Sequence, residues 1–529
     1  MAEMTPARGE GRRILWVDDE IDLLRPHILY LQGKGYDLVP ASNARDALEL
    51  VQKNGFELIL LDEMMPGMGG LDLLDALKEL QPYLPVIMIT KSEEEDLMDR
   101  AIGRRITDYL TKPVNPSQIY MACKKVFERR EIEKVQRMRD YVGEFAEMRA
   151  LSTAGFAWDD WARLYHRMVR WDLELLRAED VELRQAHQDH LSGLNVEFSR
   201  FVESRYRGWV EQAPGERPVL SNDLVEKKIF PLVREGKRAA LIVVDCMRLD
   251  QWLVMEPMLA DVFHSELDLY GSILPTATPY SRNAIFSGLF PMELAHRYPQ
   301  YWQEAQHNET SKNRYERVLL KRLFERSGLS PEVVHYMKIY NRREAQELSR
   351  QAGSLADLPF TALVFTFVDA LSHGRTQSDL LQELAPDEDA LRSHLRTWFS
   401  HSILMETLRV FAARGVHVVI TTDHGSVLVR KATRVRANRQ TSTGIRYKYG
   451  DNLVTDERAA IHVRDPQVFK LPMDGLVKHY ILAKEHNFFL YPNNFHKYER
   501  MFRGTFQHGG VSLEEMVLPV ATLTPRGRA

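Results

Sequence analysis

The second half of the sequence holds three aspartates and three histidines that could bind metal ions. Each aspartate comes where a short apolar run stops, and the carboxyl ends of parallel strands open onto one rim of a sheet. A lone aspartate there is usually a helix cap, but three would meet at that rim. Carboxylate and imidazole ligands without thiolate suit Zn²⁺ or Mn²⁺, and two such cations clamp a phosphoryl group. The predicted ligands are Asp245, Asp369, His373, Asp423, His424 and His508.

Such a phosphoryl-transfer site also needs a nucleophile, and hydroxyl-bearing residues cluster in the segment LPTATPYSRNAIFSG, residues 274–288. Thr276, Thr278 and Ser281 follow a short predicted strand and lie near the start of a helical pattern. A hydroxyl at a helix N-terminus gains from the helix dipole, and coordination to a metal would lower its pKa enough for attack. The residue types alone leave these hydroxyls as alternatives.

The charged residues near these motifs are less specific. The stretch 430–450 is basic and lacks a clear periodicity, which favours a long exposed loop. Its arginines could bind the phosphates of an extended substrate, although an ordinary solvated loop explains the composition equally well. The predicted phosphate contacts are Arg434, Arg436 and Arg439. Residues that flank the metal motifs but stay outside the ligand set are Arg248, Asp250 and Arg282.

A second group of chemically suited residues lies in the first quarter of the chain. Asp18 and Asp19 end the first apolar run, Asp62 ends the third, Thr90 ends the fourth, and Lys112 follows the fifth. Crowded carboxylates bind a hard dication such as Mg²⁺ through oxygen. Asp62 could then attack a phosphoryl group, while the metal and Lys112 offset the charge on the phosphoryl oxygens. The pattern therefore predicts an aspartate that accepts a phosphoryl group.

Two α/β domains joined by helices would position these residues. Short apolar runs alternate with helical segments up to about residue 128, which is typical of a small doubly wound parallel sheet. Helical periodicity without strands then predicts a connector over residues 129–218, and a Pro/Gly-rich stretch ends it. Strands return in the region 219–529 and predict a larger α/β domain. No segment reads as a helix-turn-helix with a basic recognition helix, so we expect no binding to duplex DNA.

The composition favours a cytoplasmic protein. The formal net charge of −4 gives no overall attraction to nucleic acid or anionic lipid, so any anion site must be local. Two cysteines provide neither a disulfide framework nor a thiolate zinc site, which indicates a reducing compartment. The N-terminal apolar run is too short for a signal peptide, and no run of about 18 apolar residues predicts a membrane span.

Residues 12–128 resemble the response-regulator receiver family in the motifs VDDE, LLDEMMPGMGG, MITK and YLTKP. The resemblance implies a flavodoxin-like fold, phosphorylation at Asp62 by a cognate sensor histidine kinase, and homodimers of the phosphorylated protein. It implies that Mg²⁺ binds Asp18, Asp19, Asp62 and the backbone carbonyl of Met64. Thr90, Tyr109 and Lys112 would be the residues that respond to the phosphoryl group.

The C-terminal motifs resemble the PglZ branch of the alkaline-phosphatase superfamily. The resemblance implies two zinc ions and makes Thr278 the nucleophile, with Thr276 as the runner-up. One zinc would bind Asp245, Thr278, Asp423 and His424. The other would bind Asp369, His373 and His508. Sulfatase-type formylglycine chemistry is excluded because the nucleophile segment has no cysteine.

Receiver and hydrolase together resemble PorX-type response regulators over essentially the whole chain. This resemblance implies a link to type IX secretion, with an alternative sigma factor or a secretion component as partner. We expect a zinc-dependent phosphodiesterase, acting on nucleotides or oligonucleotides, that phosphorylation controls through dimerisation. The alternative is a metal-stabilised scaffold without catalysis that binds the same partners under receiver control.

Overall fold

The computed structural model describes residues 12–81, 84–91, 106–178, 181–303, 313–374, 387–437, 444–473 and 479–527. Clustering of contacts divides the chain into two compact units, residues 1–144 and 145–529. Among the described residues, no helix combines the length and the apolar character needed to cross a bilayer. The predicted Arg439 lies outside the described residues, as does the side chain of His373.

The first unit contains one parallel five-stranded sheet in the order β2-β1-β3-β4-β5. Every residue of β3 and β4 is buried, which explains why both strands are continuous apolar runs. The strands are β1 (Arg12–Val17), β2 (Tyr36–Ala41), β3 (Leu58–Asp62), β4 (Val86–Thr90) and β5 (Asp108–Thr111). The helices described in this part are α1 (Arg25–Gln32), α2 (Ala44–Lys53), α3 (Gly70–Leu80) and α4 (Pro116–Ala150), whose last residues belong to the second unit.

The second unit is built on a six-stranded sheet in the order β7-β18-β10-β6-β9-β8. Strands β10, β6, β9 and β8 run parallel, whereas β18 pairs antiparallel with β10 and β7. The strands of this sheet are β6 (Ala239–Val244), β7 (Phe263–Gly271), β8 (Val334–Ile339), β9 (Phe360–Phe365), β10 (His417–Thr421) and β18 (Val517–Pro525).

Smaller sheets lie between β10 and β18 in the sequence. A three-stranded antiparallel sheet has the order β13-β15-β14, and two strand pairs join β11 to β17 and β12 to β16. Their strands are β11 (Val427–Leu428), β12 (Lys431–Arg434), β13 (Tyr447–Gly450), β14 (Ala460–Val463), β15 (His479–Ala483), β16 (Asn487–Leu490) and β17 (Phe506–Gln507). The prediction of a long exposed loop over 430–450 was therefore wrong, because β12 and β13 lie within it.

Helices cover both faces of the large sheet and form the connector before it. The connector helices are α5 (Trp158–Ala178) and α6 (Val181–Glu211). The helices of the following α/β region, up to β10, are α7 (Phe230–Arg234), α8 (Leu249–Met255), α9 (Thr278–Ser287), α10 (Pro291–Arg297), α11 (Pro299–Gln303), α12 (Glu316–Arg326), α13 (Arg342–Leu355), α14 (Phe367–Gly374), α15 (Glu388–Ser400) and α16 (Ile403–Ala413). Two short helices, α17 (Phe495–Phe502) and α18 (Leu513–Met516), flank β17.

The core of the second unit includes the connector. One apolar cluster contains Trp161 of α5, Phe198 and Tyr206 of α6, and residues of the large sheet such as Leu241 and Val517. Burial of this much aromatic and aliphatic surface stabilises the unit and holds both connector helices against the sheet. The predicted fold class, a doubly wound α/β domain, a helical connector and a second α/β domain, is confirmed.

Candidate active site and phosphoacceptor site

Three carboxylates of the first unit meet at the carboxyl ends of β1 and β3. One oxygen from each of Asp18, Asp19 and Asp62 lies within 4.8 Å of the others. Lys112 Nζ is 2.8 Å from a carboxylate oxygen of Asp62 and 3.1 Å from one of Asp18. Burial raises the pKa of Asp62, although its hydrogen bond with Lys112 opposes the shift. The cluster offers the oxygen ligands that Mg²⁺ prefers, with a cation beside the predicted phosphoacceptor.

The predicted switch residues lie on neighbouring strands of the same sheet. Thr90 ends β4, is 4% exposed, and donates a hydrogen bond from its hydroxyl to the carboxylate of Glu63. Tyr109 in β5 is 38% exposed, so its ring faces solvent. The side chain of Met64 is exposed as well, which suits a residue predicted to act through its backbone carbonyl.

In the second unit, the ends of β6 and β10 bring together three residues that could bind a metal, which are called the metal-binding set below. Asp245 follows β6 directly, and Asp423 and His424 follow β10 within three residues. One ligand atom from each of these three buried residues lies within 4.8 Å of the others. His424 Nε2 is 3.8 Å from Asp245 Oδ1 and 3.7 Å from Asp423 Oδ2. Gly425 allows the turn after them, because a Cβ atom there would overlap a backbone carbonyl.

The two carboxylates of this set each keep one oxygen without a hydrogen-bond partner among the described residues, Asp245 Oδ1 and Asp423 Oδ2. Asp423 Oδ1 accepts hydrogen bonds from the backbone amides of Cys246 and His424, at 3.3 and 3.1 Å. Burial raises the pKa of Asp245 well above its usual range; Arg282 opposes this shift and Asp423 adds to it. Buried carboxylate oxygens without a donor are costly, and a bound dication would remove that cost.

Both described histidines of the predicted ligand set direct Nδ1 at a backbone carbonyl. His424 Nδ1 is 3.1 Å from the carbonyl of Gly425, and His508 Nδ1 is 3.3 Å from the carbonyl of Thr276. A carbonyl only accepts, so each Nδ1 is the donor, which leaves Nε2 as the ring nitrogen that can bind a metal. The rings stack with centroids 4.1 Å apart, so one histidine of each predicted ligand set lies against the other.

The structure separates the two candidate threonines. Thr278 is the first residue of α9, and its Oγ1 lies 2.9 Å from His424 Nε2. Thr276 is fully buried; its hydroxyl donates to the carbonyl of Gly510 at 2.8 Å and accepts from the amide of Gly509 at 3.1 Å. Thr276 therefore holds the backbone around His508, whereas Thr278 presents its hydroxyl to the metal-binding set.

Two of the remaining predicted ligands, Asp369 and His508, line the same cavity. A cavity of about 640 Å³ is lined by residues that include Asp245, Thr278, Asp369 and His508. His508 Nε2 is 3.8 Å from Asp369 Oδ1. Asp369 was expected where a strand stops, but β9 ends at Phe365 and Asp369 lies in the first turn of α14. That helix also contains the backbone of His373, one turn further on.

Several cavity residues were missed or set aside by sequence reasoning. Arg282 lies one turn after Thr278, is 3% exposed, and donates to Asp245; its Nη1 is 3.6 Å from Asp423 Oδ2. The Arg282 Nε also donates to Glu316 Oε1 at 2.6 Å. Asn313 donates to the backbone carbonyl of Thr278 at 3.2 Å. The only signal in the sequence was the spacing of Arg282 from Thr278, which places both on one helix face.

The basic stretch divides into two kinds of residue. Arg434 and Arg436 are exposed, and the Arg434 guanidinium lies 4.9 Å from the centre of the Phe495 ring. Arg446 and Lys448 are buried, with Arg446 paired to Glu515 and Lys448 Nζ donating to the carbonyl of Gly444 at 2.9 Å. Of these four side chains, those of Arg434 and Arg436 are the ones that a ligand could reach from solvent.

Comparison with known proteins identifies three parts of the chain. The family described as the BREX system PglZ alkaline phosphatase-like domain matches residues 224–523, which is more than half of the chain. The response regulator receiver domain matches residues 14–124, and the PorX response regulator linker domain matches residues 131–210.

Individual relatives match the receiver region. The alkaline phosphatase synthesis transcriptional regulatory protein PhoP of Bacillus subtilis (strain 168) is 32% identical over 124 residues, which are 23% of this chain and 51% of the relative. The alginate biosynthesis transcriptional regulatory protein AlgB of Pseudomonas putida is 34% identical over 129 residues, 24% of this chain and 29% of the relative. The chain thus spans about half or less of these relatives. A CheY-like receiver domain protein from Methanospirillum hungatei JF-1 is 29% identical, with coverage of 23% and 99% and a TM-score of 0.23.

The candidate metal ligands, the helix that begins at Thr278 and the carboxylate cluster of the receiver all lie within the matched regions. The match to the PglZ family also makes the C-terminal domain alkaline phosphatase-like. The chain belongs to the PglZ alkaline phosphatase-like family and is a PorX-type response regulator, with a receiver domain and a PorX-type linker ahead of its PglZ domain.

Proposed function

We propose that this protein is a zinc-dependent phosphodiesterase that acts on nucleotide or oligonucleotide phosphodiesters and is controlled by phosphorylation of its receiver at Asp62. The observation that carries the proposal is the position of the Thr278 hydroxyl, whose oxygen lies 2.9 Å from His424 Nε2. Two ligands of one tetrahedral zinc lie roughly 3.3 Å apart, given bond lengths near 2 Å. The distance therefore suits two ligands of one cation.

The residues that would hold the two zinc ions are the predicted ones. Asp245, Thr278, Asp423 and His424 would form one ligand set, and Asp369, His373 and His508 the other. The unpartnered carboxylate oxygens and the two Nε2 atoms support this assignment. Bound zinc would supply Lewis-acid stabilisation of the charge that develops on the phosphoryl oxygens.

The reaction proceeds through Thr278 in two displacements. Thr278 loses its proton to water in the cavity and its oxygen bonds to phosphorus, while the bond between phosphorus and the leaving oxygen breaks and that oxygen takes a proton from water. A second water then replaces the Thr278 oxygen on phosphorus, which restores the hydroxyl and releases a phosphomonoester. Arg282 contributes a positive charge at the same wall of the cavity and fixes the Asp245 carboxylate.

The cavity wall supports a substrate that is larger than a simple phosphate ester. Tyr340 lines the cavity and is 60% exposed, and Lys338 Nζ lies 4.9 Å from its ring centre. An exposed aromatic ring beside a cation is suited to a nucleobase and its phosphate. Arg434 and Arg436 offer further positive charge on the surface of the same unit for an extended oligonucleotide.

Regulation would begin at Asp62. A sensor histidine kinase donates the phosphoryl group, Thr90 leaves Glu63 to bond it, and Tyr109 turns inward from its exposed position. The changed receiver surface then pairs two copies of the chain. The match to the PorX linker supports a role in type IX secretion, with an alternative sigma factor or a secretion component as partner.

The catalytic proposal is tested with Thr278→Ala in the full-length, zinc-loaded protein. We expect hydrolysis of bis-p-nitrophenyl phosphate and of linear and cyclic oligonucleotides to fall by at least about 10³-fold, because the nucleophile is lost. Thr276→Ser, which keeps the structural hydroxyl, is the matched control and should retain activity. Full activity of Thr278→Ala would refute the role of Thr278. A wild-type protein that binds zinc but hydrolyses none of these diesters would favour the scaffold function.

Control by the receiver is tested separately with beryllofluoride, which mimics an aspartyl phosphate. Sedimentation velocity should show a shift from monomer to dimer for the wild type, with a change in diesterase rate. Asp62→Asn is the control, because it lacks the carboxylate that binds the mimic, and it should show neither effect. Unchanged sedimentation and activity of the wild type would contradict this model.

A further inference from the structure

Helix α6 of the linker carries polar residues on the face that packs against the hydrolase. Asn195, Ser199, Glu203 and Tyr206 follow one another at spacings of four, four and three, so they lie on one side of the helix. Asn195, Ser199 and Tyr206 are completely buried. The apolar residues of the same buried surface are Leu194, Phe198, Val202, Trp209 and Val210. Buried polar groups on such a face are costly unless each has a partner.

Asn195, Ser199, Glu203 and Tyr206 form the polar stripe of α6. The first half of this stripe, Asn195 and Ser199, contacts the segment that follows His508. Asn195 Oδ1 accepts a hydrogen bond from the Leu513 amide at 2.8 Å, and its Nδ2 donates to both carboxylate oxygens of Glu514 at 3.1 Å. The Ser199 hydroxyl donates to the carbonyl of Val511 at 3.3 Å. Side chains of α6 therefore contact Val511, Leu513 and Glu514, which follow His508 by three, five and six residues.

The second half of the stripe contacts the segment before Thr278. The Tyr206 hydroxyl accepts a hydrogen bond from the Leu274 amide at 2.8 Å, four residues ahead of the nucleophile. Glu203 pairs with Lys484 Nζ at 2.7 Å, and Lys484 bridges through its backbone to Val511. One rigid helix thus touches both the segment that carries the nucleophile and the segment that carries a predicted metal ligand.

These contacts have a mechanical consequence. A helix moves as a unit, so a small shift of α6 along its axis would displace Leu274 and Leu513 together. Thr278 and His508 lie only four and five residues from those anchors. A misplacement of about 1 Å in a reacting group can lower the rate about 100-fold. A small shift of the stripe would therefore change the rate of hydrolysis strongly.

We propose that α6 is a positioning element of the hydrolytic site, whose polar stripe fixes Thr278 and His508 relative to each other and through which movement of the linker sets the activity. The inference rests on the proposed phosphodiesterase function. It also assigns to the linker a role that a passive spacer would not have.

The test uses paired variants of the full-length, zinc-loaded protein. Tyr206→Phe and Asn195→Ala remove the two bonds to backbone amides, and Ser199→Ala removes the third contact. Ser192→Ala is the matched control for Ser199→Ala, because the Ser192 hydroxyl bonds only to the carbonyl of Gln188 within α6. We expect kcat for bis-p-nitrophenyl phosphate to fall by about 10- to 100-fold in Tyr206→Phe and Asn195→Ala, with KM within about twofold.

A second readout does not depend on turnover. Hydrogen–deuterium exchange of peptides covering residues 508–516 should speed up in Asn195→Ala, and exchange of peptides covering 272–278 should speed up in Tyr206→Phe, each without change in the other segment. Ser192→Ala should match the wild type in exchange and kcat. Variants with the expected exchange but wild-type kcat would overturn the positioning role while leaving the phosphodiesterase intact. An inactive wild type would instead refute the proposed function, and unchanged exchange would refute the contacts themselves.

Discussion

Replacing Arg282 by methionine should destabilise the metal-free protein far more than the zinc-loaded protein. The guanidinium donates to Asp245 and Glu316 and lies 3.6 Å from Asp423, and all four side chains are at most 4% exposed. Methionine keeps most of the volume but removes the positive charge. In the absence of metal, three buried carboxylates then lose a shared cation.

The expected magnitude follows from this arrangement. Removing one partner of a buried ion pair costs about 3 to 5 kcal/mol, because the remaining charge stays buried without compensation. If two dications occupy the predicted ligand sets, they offset the charges of Asp245 and Asp423. In zinc, Arg282→Met then loses only the free energy of the missing hydrogen bonds, about 1 to 2 kcal/mol. Zinc should therefore restore about 2 to 3 kcal/mol to the variant.

The assay is unfolding by urea followed by tryptophan fluorescence, in EDTA and in saturating zinc. All tryptophans except Trp16 lie in the second unit, so the signal reports mainly on the unit that contains Arg282. Arg392→Met is the matched control: Arg392 is equally buried and pairs with Asp172, Asp250 and Asp389, away from the ligand set.

Relative to the wild type, Arg392→Met should lose a similar free energy of unfolding in EDTA and in zinc, because zinc binding stabilises both proteins equally. If Arg282→Met lost the same free energy of unfolding with and without zinc, relative to the wild type, cations would not lie beside Asp245 and Asp423. The assignment of the first zinc ligand set would then be wrong, whatever the activity of the protein.

Three further outcomes follow from other contacts. Burial alone would raise the pKa of Asp250, but its neighbouring arginines outweigh burial and lower the pKa to about 2. The ionised carboxylate therefore stabilises the fold fully above about pH 4. In urea titrations the wild type should exceed Asp250→Asn in free energy of unfolding by about 2 kcal/mol, and this difference should shrink as the pH falls toward 2. Arg434→Glu with Arg436→Glu should weaken oligonucleotide binding and flatten its salt dependence in fluorescence anisotropy, while hydrolysis of bis-p-nitrophenyl phosphate stays unchanged. Gly425→Ala should lower zinc affinity in competition titrations, because the added Cβ would overlap the Glu514 carbonyl and displace the turn after His424.

Residues at strand ends were predictable because the strands themselves are plain in the sequence. The runs that became β1, β3, β4 and β6 are mostly apolar, and functional residues of a parallel sheet lie at the carboxyl ends of its strands. Asp62 and Asp245 were found in this way. Asp369 was assigned to the right edge with the wrong element, since FVDALSHG reads equally well as the end of a strand and the start of α14.

Residues whose partners are distant in the sequence were not predictable. Arg446 looks like a solvated charge in a basic stretch, yet Glu515, 69 residues further along the chain, pairs with it inside the protein. Arg282 was left outside the site because nothing in its neighbourhood shows that Glu316 and Asp245 will converge on it. The sequence shows which residues are charged, but whether a charge is buried depends on whether the fold places a partner beside it.

The same limit explains why the linker seemed to be only a connector. Asn195, Ser199, Glu203 and Tyr206 at helical spacing are what an exposed helix face would show, and their polarity gives no sign of burial. Asn195, Ser199 and Tyr206 bond to backbone groups of Leu513, Val511 and Leu274, and a pattern of side-chain types in the sequence does not reveal such partners. The linker helices lie in the same compact unit as the large sheet. Movement of α6 would therefore reach Thr278 and His508 without a further relay, because the helix already bonds the segment before Thr278 and the segment after His508.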